Sequence, residues 1–102
     1  MIRIVGVGNR QCPMVFCDVC GKRIVEGEKA TCWFYGKGKS GYVENGKLWF
    51  AHEPVCADVL SNKHALAFNI ELDVFLHQLT SNVKWDREWA AEKNESMSQE
   101  IL

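Results

Sequence analysis

Four residues in two short segments have the types and the spacing of a metal site. The stretch "FCDVCGK" carries Cys17 and Cys20 with two residues between them, and "AHEPVC" carries His52 and Cys56 with three between them. A Cys-x2-Cys pair places two sulfurs on one side of a tight turn, and Gly21 lets the backbone bend there. Three thiolates and one imidazole make a closed tetrahedral shell that suits structural zinc. We therefore predict one structural Zn²⁺ held by these four side chains.

Two other interpretations of the cysteines stay open. A Cys-x2-Cys pair also occurs as a redox pair in thioredoxin-like proteins, but there it starts a helix after a strand. Here Cys20 is followed by Gly-Lys and a β-rich stretch, which favours metal. The third interpretation is buried free cysteines. Of the remaining two cysteines, we expect Cys32 to be a small core residue and favour Cys12 as a non-ligand.

Length and composition indicate one small globular domain. The chain has 102 residues, of which 47% are hydrophobic and 25% charged. The start "MIRIVGVGNRQCP" lacks the apolar core of a signal peptide, and no run approaches the length of a membrane span. We therefore expect a cytoplasmic protein that makes no membrane contact. In such a reducing compartment, clustered cysteines indicate metal or redox chemistry more often than structural disulfides.

The elements around the four residues are predicted to bring them together. Strands are predicted in "IRIVGV", "ATCWFYGK" and "KLWFAH", with Asn45-Gly46 as the strongest turn signal of a hairpin between the last two. Pro54 suits the first position of a helix that stops near Ser61-Asn62. Cys56 would then lie in the first turn, where free N–H groups and the helix dipole favour a thiolate.

The C-terminal part is predicted to be helical. One helix is expected after Asn69 as N-cap, with an apolar stripe that should be buried, formed by Leu72, Phe75, Leu76 and Leu79. Another is expected over Lys84 to Lys93, followed by a flexible polar tail at 95–102. We thus predict a single α+β domain over 1–102, with a zinc core at about 14–60 and a helical extension at about 63–94.

Three parts of the chain together resemble a treble-clef zinc finger. They are the turn that carries Cys17 and Cys20, which we call the knuckle, a β-hairpin, and a helix that carries the last ligand. The order is similar to LIM half-domains and to the finger of poly(ADP-ribose) polymerases, which usually have two residues between the last His and Cys where this chain has three. A closer resemblance is to small uncharacterised bacterial and phage proteins with "CDxCGKxI" early and "HxxxC" later. The resemblance covers about residues 14–60. It implies zinc and an approximate fold, and it implies no particular task.

Charge is unevenly distributed although the net charge is only −1. Residues 1–52 hold eight Lys or Arg against four acids, and residues 53–102 hold four against nine acids, so the halves carry +4 and −5. Such asymmetry indicates either a surface for an acidic partner on the basic half or two complementary halves that pack together. We favour the second interpretation.

A closed four-ligand shell leaves no coordination position for a catalytic water, so we expect no enzyme and no small-molecule substrate. An HNH-type nuclease would need a further histidine in the hairpin, which has none. The first functional hypothesis is a zinc-stabilised interaction or regulatory protein that binds a protein partner, with Trp85 and Trp89 on its acidic half as contacts. The alternative is a nucleic-acid-binding zinc finger. Lysines of the hairpin region would contact phosphates, namely Lys37, Lys39 and Lys47. Aromatic side chains would stack on bases, namely Tyr35, Tyr42 or Trp49.

Overall fold

The protein is a small α+β fold. The computed structural model describes residues 1–35, 47–64 and 67–100, and within them it has two sheets and three helices. The strands in chain order are β1 (Ile2–Val7), β2 (Arg10–Val15), β3 (Ala30–Phe34), β4 (Leu48–His52) and β5 (Phe68–Glu71). The helices are α1 (Val55–Lys63), α2 (Leu72–Ser81) and α3 (Arg87–Glu100). None of the described helices combines the length and the apolar character that crossing a bilayer requires.

The central sheet has the order β4-β3-β5, and both outer strands are antiparallel to β3. Strands β3 and β4 lie where the sequence predicts them, with Cys32 opposite Phe50 and Trp33 opposite Trp49. The predicted turn at Asn45-Gly46 lies outside the described residues. Strands β1 and β2 form a separate antiparallel hairpin. Of these two strands, the sequence predicted β1, in "IRIVGV".

Side-chain alternation assigns the two faces of the central sheet to different helices. Cys32 and Phe50 point to one face, where Phe75 of α2 meets the Phe50 ring edge-on at 5.8 Å. Trp49 points to the other face, where His64 at the end of α1 stacks on it at 4.4 Å. The buried core consists of residues from both faces and from the knuckle: Cys17, Ile24, Ala30, Cys32, Trp33, Phe50, Ala51, Ala57, Leu60 and Leu72.

The prediction of a helix starting after Asn69 was wrong by two residues. Asn69 lies in β5 opposite Trp33, and α2 begins only at Leu72. The edge of β3 not used by β4 accepts this strand. Phe68 stacks on Phe34 with ring centroids 6.2 Å apart. Long-range pairing therefore overrides the local helix-capping signal, and the segment expected to be purely helical contributes a strand to the sheet.

The predicted apolar stripe of α2 is buried only at its start. Leu72 is buried and Phe75 is half-buried, but Leu76 and Leu79 are exposed. The first turn lies against the sheet because it follows β5 directly, whereas the later turns leave the core. The second half of the stripe is thus an apolar surface of the described chain.

Helix α3 begins at Arg87, three residues later than predicted, because Asp86 caps it. The Asp86 carboxylate accepts a hydrogen bond of 2.9 Å from the backbone N–H of Trp89, a typical N-cap contact. At the other end the helical backbone continues to Glu100. The segment 95–100, expected as part of a flexible tail, is therefore helical.

The two oppositely charged halves do not form ion pairs with each other in the part of the chain that the structure describes. The ion pairs found there join the Met1 ammonium to Asp18 and Lys29 to Glu26, all four residues belonging to the N-terminal half. The halves nevertheless pack on each other, since β5 and α2 lie against β3, so the packing that the favoured interpretation expects is present without ion pairs between these residues.

Candidate metal centre

The Cys17–Cys20 turn is shaped by its own backbone. The N–H groups of Val19 and Cys20 both point at the Cys17 sulfur, each at 3.4 Å. The Gly21 N–H donates to the Cys17 carbonyl at 3.0 Å, and Gly21 has a φ of 77°, a conformation that side-chain-bearing residues rarely adopt. The turn predicted from "CDVCGK" is therefore present, and two of its N–H groups are directed at a sulfur.

Asp18 fastens this turn to β4 and to the chain start. Its carboxylate accepts hydrogen bonds of 2.7 Å from the Phe50 N–H and from the Met1 ammonium group. Its own N–H donates to the Phe50 carbonyl at 2.7 Å. The side chain is mostly buried. Asp18 therefore sets the distance between the cysteine pair and the strand that ends in His52.

We expect Asp18→Ala to lower the free energy of unfolding of the zinc-loaded protein by about 2 kcal/mol, because a partly buried N–H and an ammonium group lose their acceptor. Chemical denaturation followed by circular dichroism measures the change. Asp58→Ala, an exposed acid on α1, is the matched control and should change stability far less. Equal effects of the two substitutions would contradict a clamping role for Asp18.

His52 is the last residue of β4, so strand pairing with Ala30 holds its backbone. Its Nδ1 atom lies 3.5 Å from the Cys20 sulfur, and its Nε2 atom lies 3.3 Å from the Arg23 carbonyl oxygen. A carbonyl can only accept, so the contact to Arg23 is a hydrogen bond when Nε2 carries the ring proton, which leaves the lone pair of Nδ1 directed towards the sulfurs. A carbonyl on the second ring nitrogen is the usual arrangement around a metal-binding histidine.

Cys56 comes from the first turn of α1. The prediction that Pro54 is the first helical residue was wrong by one position, since α1 begins at Val55 and Pro54 occupies the N-cap. Pro54 still suits this end of the helix, because its carbonyl accepts the Asp58 N–H at 3.0 Å. The shift leaves Cys56 at the positive end of the helix, as expected.

The four predicted residues form one group. Each of Cys17, Cys20, His52 and Cys56 offers a ligand atom, and these atoms all lie within 4.8 Å of one another. Bond lengths of about 2.3 Å for sulfur and 2.0 Å for nitrogen place the ligand atoms of a tetrahedral zinc site about 3.5–3.8 Å apart. The Cys20–His52 distance of 3.5 Å meets that requirement. The donor set and its spacing therefore fit a metal ion such as zinc.

The thiols in this group differ in acidity. Burial raises the pKa of Cys17, but hydrogen bonds from the N–H groups of Cys20, His52 and Val19 outweigh it, so that this pKa falls to about 6. The pKa of Cys56 rises to about 11, first because of burial and then through hydrogen bonds and charge repulsion with Cys17 and Cys20. In the metal-free group Cys17 is therefore the more acidic thiol and Cys56 the less acidic one. A cation bound between the sulfurs would favour the thiolate form of both, so its binding would release protons from the thiols that are still neutral.

The remaining cysteines lie outside the group. Cys32 is completely buried in the central sheet, and burial raises its pKa to about 11, so it is a neutral core thiol as predicted. Cys12 is half-buried in β2, opposite Val5. Within the described residues, the possible metal group contains neither of them.

The structure describes only some of the predicted contact residues. Trp85, just before α3, is 46% exposed, and Trp89, in the first turn of α3, is 62% exposed. Lys47 is exposed beside β4. Lys37, Lys39 and Tyr42 lie outside the described residues.

The sequence did not predict that Tyr35, Trp49 and His64, near Lys47, would form one cluster, which we call the aromatic cluster. Tyr35 meets the Trp49 ring edge-on, and its hydroxyl oxygen lies 3.0 Å from Nδ1 of His64, which stacks on Trp49. Strand alternation could have placed Lys47 and Trp49 on one face. Nothing local predicted that the end of α1 would bring His64 to them.

No family model, curated protein or solved structure matches the chain. Its assignment therefore depends on its own geometry. That geometry defines a small α+β domain with a Cys₃His group able to hold a metal ion.

Proposed function

We propose that the protein is a zinc-stabilised, non-enzymatic interaction or regulatory domain that binds a protein partner. One observation supports the part of this proposal that concerns zinc. The four ligand atoms come from the knuckle, from the end of β4 and from α1, yet they lie within 4.8 Å of one another. One ion bound there would cross-link three separate pieces of a small chain, which is what a structural zinc does in a domain with a small core.

The donor set supports a structural rather than a catalytic ion. Four protein ligands complete the tetrahedral shell of zinc, whereas catalytic zinc sites keep a position for water or substrate. Free thiolates also need a reducing environment, so we propose a cytoplasmic location. The order of knuckle, hairpin strands and ligand-bearing helix supports a treble-clef-like core.

The partner surface we propose lies around the start of α3, and we call it the tryptophan surface: Leu79, Val83, Trp85 and Trp89, all substantially exposed. Trp85 is held in place, because its indole N–H donates to the Thr80 carbonyl at 3.1 Å and the Arg87 guanidinium lies 5.0 Å from the ring centroid. A rigid, exposed indole loses little entropy on binding, which favours an interface hot spot.

A capture experiment tests the tryptophan surface. Zinc-loaded wild type is compared with Trp89→Ala and with the matched control Glu92→Ala, an exposed residue of the same helix. We expect Trp89→Ala to weaken binding of a captured and identified protein at least about tenfold, because hot-spot truncations cost about 2 kcal/mol or more. Glu92→Ala should leave binding unchanged. Equal binding by both variants contradicts this surface, while zinc content and folding report separately on the metal site.

The aromatic cluster supports one alternative, binding of single-stranded nucleic acid. Tyr35 is exposed and Lys47 lies next to β4, so a stacking surface and a phosphate contact are available on one side. Lys37 and Lys39, which the alternative also uses, lie outside the described residues. Salt-titrated binding of a single-stranded oligonucleotide, compared between wild type, Lys47→Glu and the distant control Lys93→Glu, separates this alternative from the protein-partner proposal.

A further inference from the structure

Strand β1 has an outer edge that no other described strand occupies. It pairs only with β2, with Ile2 opposite Val15 and Ile4 opposite Pro13. Met1 and Phe16 form two backbone hydrogen bonds with each other: Met1 N donates to the Phe16 carbonyl at 2.6 Å, and Phe16 N–H donates to the Met1 carbonyl at 2.7 Å. Bonded and non-bonded pairs alternate in antiparallel sheets, so the backbone groups of every second residue of β1 point away from β2. The residues whose backbone N–H and C=O groups point away from β2 are Ile2, Ile4 and Gly6.

Within the described residues, β1 lacks most of the usual protections of an edge strand. Proteins cover such edges, or place proline, a bulge or a charge on them. Strand β1 has no proline, and its pairing with β2 is continuous. Its one charge, on Arg3, lies over the Phe16 ring at 5.3 Å, directed towards the knuckle. Ile2 and Ile4 remain 57% and 64% exposed. On β2, by contrast, Pro13 removes an outward donor.

We propose that this edge pairs with the β1 edge of a second copy of the chain, antiparallel about a two-fold axis at Ile4. In that register Ile4 lies opposite Ile4 of the second copy, and Ile2 lies opposite its Gly6. The outward N–H and C=O groups then meet outward groups along the whole strand, and any other register pairs fewer of them. The two hairpins become one continuous sheet.

Charge and shape favour a second copy as the occupant. The register places Arg3 opposite Val5 of the second copy, so like charges do not face each other across the seam. Ile2 lies opposite a glycine, where a side chain has room. The contact is small compared with an ordinary interface of about 1,600 Å², so we expect a weak dimer with a dissociation constant of about 10 µM or more.

The first test is sedimentation velocity of the zinc-loaded protein from about 5 to about 500 µM. We expect the wild type to shift from monomer to dimer over this range. Ile4→Pro removes an N–H that points away from β2 and breaks no hydrogen bond to β2. The dissociation constant of the dimer should therefore rise at least about tenfold. Ile4→Val, which keeps the N–H, should dimerise like the wild type. A wild type that stays monomeric, or a dimer unaffected by Ile4→Pro, overturns the proposal.

A second test does not depend on the proline variant folding normally. In a Cys12→Ser background, Ile4→Cys places two thiols at the two-fold axis, where paired Cα atoms are about 5.5 Å apart, within reach of a disulfide. Oxidation should give a cross-linked dimer. Val7→Cys, exposed on the same strand but far from its own copy in this register, should not. Equal cross-linking of the two variants, or none by Ile4→Cys, overturns the proposal.

Discussion

Cys56→Ala is expected to abolish zinc binding and with it the folded state. The substitution leaves three ligands and removes the contact between α1 and the knuckle through the ion. Binding of structural zinc is worth about 10–16 kcal/mol in zinc-finger peptides, whereas whole domains are stable by only about 5–15 kcal/mol. Losing even part of the zinc contribution therefore exceeds what a 102-residue core can replace.

Native mass spectrometry in reductant, with zinc quantified in parallel, measures the metal, and circular dichroism measures the fold. The wild type should hold one zinc per chain and unfold cooperatively, and Cys56→Ala should show neither property. Cys12→Ala removes a cysteine outside the group and should keep both. A Cys56→Ala protein that stays folded without metal would contradict the structural zinc and would return the Cys17–Cys20 pair to the redox interpretation.

The candidate site was predictable from the sequence because its parts are local. Gly21 and the two-residue spacing determine the turn between Cys17 and Cys20, and Pro54 marks the start of the helix that carries Cys56. Each of these signals acts within a few residues. The structure adds details, such as the Arg23 carbonyl beside Nε2 of His52, without changing which residues meet.

The arrangement beyond the site was less predictable because it depends on long-range pairing. Asn69 has the local character of a helix N-cap, but β3 offers a free edge and pairs it with Trp33. The same limit applies to Asp18, whose role appears only when Phe50 is brought to its carboxylate. Nothing near Asp18 or Asn69 in the sequence records these partners.

Phe50→Ala is expected to give the second-largest effect, about 3–5 kcal/mol lower free energy of unfolding. Phe50 is the largest fully buried side chain of the described core and packs edge-on against Phe75. Truncation of a buried phenylalanine loses its burial energy and leaves a cavity. Its backbone is also bonded to Asp18, so any shift of β4 would displace the knuckle from His52. We therefore expect weaker zinc binding as well.

Thermal and urea unfolding at fixed zinc concentration measure this effect, with Phe68→Ala as control. Phe68 stacks on Phe34 in the same sheet but is 54% exposed, so its truncation should cost much less. Because a metal ion that binds only the folded state stabilises it, we expect that raising free zinc restores part of the stability of Phe50→Ala. If the two variants lose equal stability, the core around Phe50 does not support the metal group. If added zinc has no effect on Phe50→Ala, binding of the ion and packing of the core are not coupled.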